Sequence, residues 1–276
     1  MYLYGKEVAE SIKQRLIKSF SEYISKGNTP KLAIVQLEKD DSLSVYLRTR
    51  TKIATELGVE IKLFTLENPS FDELKELINS LNSDDSIWGI MIDEPFPKEF
   101  NKSKVISLID PLKDVEGLNW SDSLKKKYQL FVPVAQAVFE IINYYNVPIK
   151  GKKICQIGYS KNVGKPLAQV FKHLGGEVTV CDENTVNIEC VSSCSDLVCV
   201  AIGKREHIKS EFVSKFSTVF DIGVHYDEDG KLCGDVCRDC YDLVENICPS
   251  PRGIGPVTNV ILFDNLLKLQ NIKENK

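Results

Sequence analysis

Apolar positions along the chain fall into two series of alternating strand-like runs and helical stripes, with a polar stretch between them. In the first series, helical apolar spacing covers residues 8–26 and a short apolar run over 31–37 predicts a strand. A long amphipathic helix over 43–57 follows, then a strand over 60–65, a helix over 71–81 and a strand over 88–92. Strands that alternate with helices predict a parallel sheet covered on both faces. The segment Glu94-Pro-Phe-Pro-Lys breaks the last strand at its carboxyl end, where open α/β sheets place their ligands.

Residues 110–132 are polar, lack clear periodicity and hold Asp114-Val-Glu-Gly, so they read as a long functional loop. Helical spacing over 133–145 leads into the second series. There a strand over 153–157 precedes a helix over 165–174, which Gly175-Gly closes with the expected C-terminal glycine. Further strands are predicted over 177–181, 196–202 and 218–222, and a final helix over 259–269 is expected to return to the first domain. The fold class is therefore α/β with two domains. Residues 1–141, completed by 259–276, form the first, and 142–258 form a Rossmann-type dinucleotide-binding domain.

Composition narrows the function classes. The 276 residues are 43% hydrophobic and 27% charged, an ordinary soluble globular balance, and a chain this long needs no disulfide or metal to support its core. A formal net charge of −4 gives no footprint for nucleic acid or an acidic membrane. The N-terminus lacks a basic region followed by an apolar core, and no apolar run approaches the ~18 residues of a membrane span, so a cytoplasmic protein is expected. The nine cysteines are then reduced thiols. Cys237-Arg-Asp-Cys240 has metal-knuckle spacing, but no second pair matches it, and no metal site is expected.

The clearest chemical signal is Gly158-Tyr-Ser-Lys-Asn-Val-Gly164-Lys-Pro166, placed between a strand and a helix. It departs from G-x-G-x-x-G, with Ser160 at the second glycine position, yet keeps the physical requirements. These are a glycine for the sharp turn, a small residue facing the phosphates and a glycine where helix meets strand. Free amides at a helix start suit an anion, and Pro166 costs little in the first helical turn. Asp182 ends the next strand, near the ~20-residue spacing of the acid that binds a ribose 2′-hydroxyl. Its carboxylate would repel a 2′-phosphate, which favours NAD over NADP.

Several segments, in order, resemble the methylenetetrahydrofolate dehydrogenase/cyclohydrolase family. They are Lys31-Leu-Ala-Ile-Val-Gln, Pro95-Phe-Pro, Asp110-Pro-Leu-Lys-Asp-Val-Glu-Gly117, Val147-Pro-Ile-Lys-Gly and the phosphate loop. Gly234-Asp-Val and Pro249-Ser-Pro-Arg-Gly-Ile-Gly-Pro-Val-Thr258 complete the set. The resemblance implies a folate cleft between two domains, a homodimer, hydride transfer from methylenetetrahydrofolate to a nicotinamide, and hydrolysis of the methenyl product. It assigns Tyr46, Arg50 and Asp93 to catalysis, and Pro95, Glu116, Arg252 and Gly253 to substrate. It assigns Gly158, Tyr159, Ser160, Val163, Gly164, Asp182, Ile202, Gly203 and Thr258 to the cofactor.

The chain departs from that family's pattern at chemically important positions. Arg50 stands where the family has a catalytic lysine, and Asp93 where it has a glutamine. Glu116 replaces an aspartate, Leu130-Phe-Val-Pro133 replaces P-C-T-P, Arg252 replaces a glycine, and Tyr159 replaces the arginine that would hold a 2′-phosphate. A lysine can release a proton when burial lowers its pKa, whereas arginine stays charged to above ~12. Hydride transfer mainly needs aligned reactants, so it survives this exchange better than hydrolysis. Arg50 and Asp93 are expected to form an ion pair within ~4 Å. Four readings follow: a dehydrogenase using NAD(P) with weak or absent cyclohydrolase activity, the ordinary bifunctional enzyme, a non-catalytic nucleotide- or folate-binding paralogue, and a dehydrogenase of a non-folate substrate whose carboxylate Arg252 would recognise.

Overall fold

The structure is a computed structural model that describes residues 1–37, 43–93 and 96–275, without the side chains of 43–46. It divides into two compact units. One comprises Met1–Glu10 with Phe131–Thr258, the other Ser11–Leu130 with Asn259–Lys276.

Helix α1 (Gly5–Ser25) buries Val8, Ile12, Leu16 and Phe20, an i, i+4 stripe down one face. In the Ser11–Leu130 unit, strand β1 (Lys31–Gln36) is the centre of a parallel sheet. After helix α2 (Leu43–Leu57) the chain adds β2 (Glu60–Thr65) on one side, and after helix α3 (Phe71–Ser83) it adds β3 (Gly89–Asp93) on the other. Both outer strands are edges of this sheet, yet every residue of β3 is buried, with Ile90 bridged to the Asp114 segment on its outer side, whereas β2 alternates towards exposure at the opposite edge. Leu74, Ile78 and Leu81 of α3 pack over Ala33, Val35, Ile90 and Ile92. A capping box fixes the start of α3, where Ser70 Oγ accepts the Glu73 amide and the Glu73 carboxylate accepts the Ser70 amide.

Two short helices, α4 (Lys102–Ile106) and α5 (Asp122–Tyr128), follow. The second corrects the expectation of a loop throughout 110–132. It buries no residue and so shows no apolar period. Local terms carry it: Ser121 Oγ caps the Leu124 amide, and Lys125, Lys126 and Lys127 sit in the last turn against the helix dipole.

The Phe131–Thr258 unit opens with helix α6 (Pro133–Tyr145), strand β4 (Lys153–Ile157), helix α7 (Gly164–His173) and strand β5 (Glu177–Cys181). Helix α8 (Ile188–Ser193), strand β6 (Leu197–Val200), strand β7 (Thr218–Asp221), the hairpin β8 (His225–Tyr226) with β9 (Leu232–Cys233), and strand β10 (Asn246–Cys248) complete it. The main sheet is parallel with order β10-β7-β6-β4-β5, so the chain reverses its direction of growth at β4. The edge at β10 is extended by the N-terminus, where the Leu3 amide donates to Ile247 O at 2.7 Å. That pairing places the first ten residues with this unit. Cys155, Cys181, Cys199 and Cys248 are buried, free thiols on the sheet.

Helix α9 (Ile254–Glu274) starts earlier and ends later than the expected 259–269. Its first turn holds Gly255 and Pro256, which read as loop residues but are tolerated where amides lack helical partners. Its later turns pack in the Ser11–Leu130 unit, where Asn265 Nδ2 donates to Val115 O at 2.8 Å.

Candidate active site

The phosphate loop leaves β4 at its carboxyl end and enters α7. A Cβ at Gly158 would overlap the carbonyl of Ala201, and one at Gly164 would overlap the carbonyl of Gly158. Both positions therefore require glycine for close backbone approach. Ser160 closes the turn: its carbonyl accepts the Lys165 amide at 3.0 Å, and its hydroxyl lies 3.4 Å from the Gly164 amide. Val163 is the residue before the helix, and its carbonyl accepts the Leu167 amide. Beneath the loop, the buried Gln156 amide donates to Gly158 O at 3.1 Å. This cradle fits the pyrophosphate of a dinucleotide, with α7 long enough to contribute its dipole.

Of the remaining predicted cofactor residues, Tyr159, Asp182, Ile202 and Gly203 follow the carboxyl ends of the sheet strands. Ile202 and Gly203 follow β6, and Ile202 lies against the Gly158 position. Asp182 follows β5, exposed, with Oδ1 accepting the Asn184 amide at 3.0 Å and the Thr185 hydroxyl at 3.2 Å. Its carboxylate thus builds its own turn at the strand end. Tyr159 is exposed at the loop corner. Thr258 lies further along the chain, in α9, and its hydroxyl donates to Gly255 O at 2.9 Å.

The segment after β10 holds Arg252 and Gly253. Arg252 is exposed with a φ of 84°, a left-handed conformation that a side chain disfavours, and its carbonyl accepts the Gly5 amide at 2.9 Å. Gly253 is buried against Pro249 and Cys248. Phe131, where the family is small, turns its ring onto Phe139 and His173 at 5.7 and 5.6 Å between centroids. Its bulk is taken up against α6 and α7.

In the Ser11–Leu130 unit, α2 and β3 bring Arg50 and Asp93 together. Arg50 Nη1 donates to Asp93 Oδ1 at 2.5 Å, with side chains 14% and 5% exposed. Among the described residues, Arg50 Nε and Asp93 Oδ2 are buried without a hydrogen-bond partner. Such atoms carry a desolvation penalty unless a ligand meets them. Glu116 joins this cluster from the turn built by Asp114, whose carboxylate accepts the amides of Glu116, Gly117 and Asn119. Burial pushes the Glu116 carboxyl up to about 7, with the Asp114 and Asp93 charges adding and Arg50 opposing. Tyr46 lies on α2 with its side chain outside the described residues, and Pro95 lies outside them entirely.

A parallel sheet with a glycine-cornered phosphate loop, in one chain with a second α/β unit that holds a part-buried Arg–Asp–Glu cluster, defines a nucleotide-dependent α/β enzyme. The family model for the tetrahydrofolate dehydrogenase/cyclohydrolase catalytic domain matches residues 3–116, and that for the family's NAD(P)-binding domain matches residues 133–274. The chain is 34% identical over 272 residues to the bifunctional protein FolD of Ligilactobacillus salivarius, covering 97% of this chain and 95% of that one. The bifunctional FolD methylenetetrahydrofolate dehydrogenase/cyclohydrolase of Campylobacter jejuni superimposes with a TM-score of 0.91 at 28% identity, over 99% of both chains. The Trypanosoma brucei methylenetetrahydrofolate dehydrogenase-cyclohydrolase, solved with NADP and an inhibitor, superimposes with a TM-score of 0.86 at 25% identity, covering 100% of this chain and 99% of that one. This chain belongs to the tetrahydrofolate dehydrogenase/cyclohydrolase family, and its second sheet is an NAD(P)-binding domain.

Proposed function

We propose that this chain oxidises 5,10-methylenetetrahydrofolate with NAD(P) and hydrolyses the methenyl product more slowly than a family enzyme carrying lysine at position 50. The buried Arg50–Asp93 pair is the observation that carries this reading. NAD(P), when bound, supplies the hydride acceptor. Gly158, Ser160, Val163 and Gly164 hold its pyrophosphate, Asp182 binds the adenosine ribose, and Ile202, Gly203 and Thr258 line the other half. Arg252 and Gly253 border the substrate, with Pro95, and Glu116 hydrogen-bonds the pterin in place of the family aspartate.

Hydride transfer needs a positioned substrate and a fixed electrostatic environment. Arg50 and Asp93 supply fixed charge, and Tyr46 stands four residues before Arg50 in the sequence of α2. Hydrolysis additionally needs a group that takes and returns a proton. Arg50 cannot do so. Glu116 changes protonation near neutrality, which supports slow rather than absent hydrolysis. The second reading, full bifunctional activity, is favoured by the bifunctional relatives, and Glu116 would then carry the proton transfer alone.

The exposed Tyr159 and Asp182 support NAD as the preferred nucleotide, although the Trypanosoma brucei relative binds NADP. The family resemblance also carries a homodimer and a cytoplasmic location into this reading. Formation of reduced nicotinamide on mixing the protein with methylenetetrahydrofolate and NAD or NADP tests the core of it. Dinucleotide binding with no reduction would instead support a non-catalytic paralogue.

A further inference from the structure

Behind the turn that ends β6 stands a carboxylate outside the predicted site. Asp235 is fully buried. Its Oδ2 accepts the amides of Ile202 at 2.8 Å and Gly203 at 3.2 Å, and its Oδ1 accepts the amide of Lys204 at 2.9 Å. His225 Nε2 lies 2.8 Å from the same Oδ1. Three consecutive amides converging on one carboxylate, with an imidazole beside them, satisfy a buried charge that would otherwise be strongly unfavourable.

Asp235 is itself held from behind. Its amide donates to Asp221 Oδ1 at 2.9 Å, and the Val236 amide and Tyr241 hydroxyl donate to Asp221 Oδ2 at 3.2 and 3.0 Å. A Cβ at Gly234 would overlap the Asp221 carboxyl, and one at Gly223 would overlap that of Asp235. The two carboxylates are therefore packed into place as well as hydrogen-bonded. What they fix is the 202–204 turn, which runs from the Ala201 carbonyl against Gly158 through Gly203 at a φ of 67°.

The position of that turn gives the arrangement its meaning. The sheet reverses growth at β4, and a dinucleotide lies across the carboxyl ends of the strands at such a point. Asp182 marks the β5 side as the adenosine side, which leaves the β6 side, and the 202–204 turn, for the nicotinamide half. We propose that Asp235, steadied by His225, is a positioning residue that sets the 202–204 backbone against the nicotinamide half of the cofactor. It touches neither substrate nor cofactor and acts through the turn. The inference rests on the NAD(P)-dependent reading above.

The test compares Asp235→Asn, His225→Ala and His225→Gln with the unaltered enzyme. For each, kcat, the KM for NAD(P) and for methylenetetrahydrofolate, dinucleotide Kd and the thermal midpoint are measured. In Asp235→Asn an amide N–H2 replaces one acceptor oxygen and opposes a backbone N–H, so the KM for NAD(P) is expected to rise roughly tenfold, a loss equivalent to one good hydrogen bond. The KM for methylenetetrahydrofolate should stay within about twofold. His225→Ala should raise the nucleotide KM about threefold, and His225→Gln, which keeps a donor, should restore most of it. A lowered thermal midpoint with an unchanged nucleotide KM in the His225 variants and in any soluble Asp235→Asn protein overturns the proposal alone. Should Asp235→Asn fail to fold, the His225→Ala and His225→Gln pair decides in the same way. An unaltered enzyme that binds neither NAD nor NADP overturns both this inference and the functional reading beneath it.

Discussion

Arg50 and Asp93 stand on different elements, α2 and β3, and meet in a buried ion pair of 2.5 Å between Nη1 and Oδ1. Each also keeps one buried polar atom without a partner among the described residues. The pair is therefore a fixed charge array with one unmet polar atom on each side chain. Its partner is also strongly set: a guanidinium holds its proton, so the aspartate opposite it stays in a constant field.

Restoring the family's proton-transfer residues should require both positions. Beside Asp93, a lysine introduced alone would be held protonated by the carboxylate. The Arg50→Lys/Asp93→Gln double variant is expected to hydrolyse methenyltetrahydrofolate about 10²-fold faster than the unaltered enzyme, the usual scale of general acid–base catalysis. Arg50→Lys alone should gain much less. Decay of the methenyl chromophore, corrected for spontaneous hydrolysis, gives both rates.

Breaking the pair should be costly to the fold. Asp93→Ala leaves a buried guanidinium without its counter-charge and is expected to lower stability by about 3 kcal/mol. Urea unfolding at neutral pH measures this. An unchanged midpoint would mean that water reaches Arg50 freely.

Glu116 makes stability depend on pH. Its carboxyl is raised from 4.5 to about 7 in the fold, so the folded protein binds the proton more tightly than the unfolded chain. That contribution is complete below pH 4.5 and is lost as pH rises to 7, at most about 3 kcal/mol. Asp221, raised from 3.8 to about 7 by burial, loses stability over a similar window. Glu116→Gln should therefore gain stability relative to the unaltered protein at pH 8 but much less at pH 5. Equal differences at the two pH values would contradict the assignment to Glu116.

Cofactor preference should respond to Tyr159 and Asp182. Tyr159→Arg places a cation where a 2′-phosphate would sit, and Asp182→Asn removes the repelling charge. The double variant is expected to shift the ratio of kcat/KM for NADP over NAD by tenfold or more, about 1.4 kcal/mol. Initial rates with both nucleotides at subsaturating concentration report it.

The left-handed Arg252 gives a prediction about strain. Arg252→Gly should stabilise the protein by about 1 kcal/mol, because glycine adopts a φ of 84° without a Cβ clash. If Arg252 also binds substrate, the KM for methylenetetrahydrofolate rises in the same variant. Thermal unfolding and steady-state kinetics separate the two effects.

How much was legible in the sequence follows from the reach of each interaction. The β4–loop–α7 segment is local, with periodicity, turn glycines and Pro166 within a short span, and it was readable throughout. The Arg50–Asp93 pair could be anticipated because both exchanges stand at matched family positions. Helix α5 is invisible to periodicity because an exposed helix has no apolar face to read. The β8–β9 hairpin and strand β10 are too short to show an alternation. Asp235 carries no local signal in the sequence. Its hydrogen bonds to the 202–204 amides join residues more than thirty positions apart in the chain, and nothing in Gly234-Asp-Val signals three distant amides. The matching of that tripeptide to the family was the one available pointer.

Under the proposed function, hydride transfer is kept while the arginine at position 50 slows hydrolysis. The most direct measurement follows reduced nicotinamide and methenyl product separately in a single reaction of the purified protein with methylenetetrahydrofolate and NAD. Reduced nicotinamide is expected to form steadily while methenyltetrahydrofolate accumulates to a comparable amount. Nicotinamide reduction with no methenyl build-up, and rapid loss of methenyltetrahydrofolate added from outside, would contradict it.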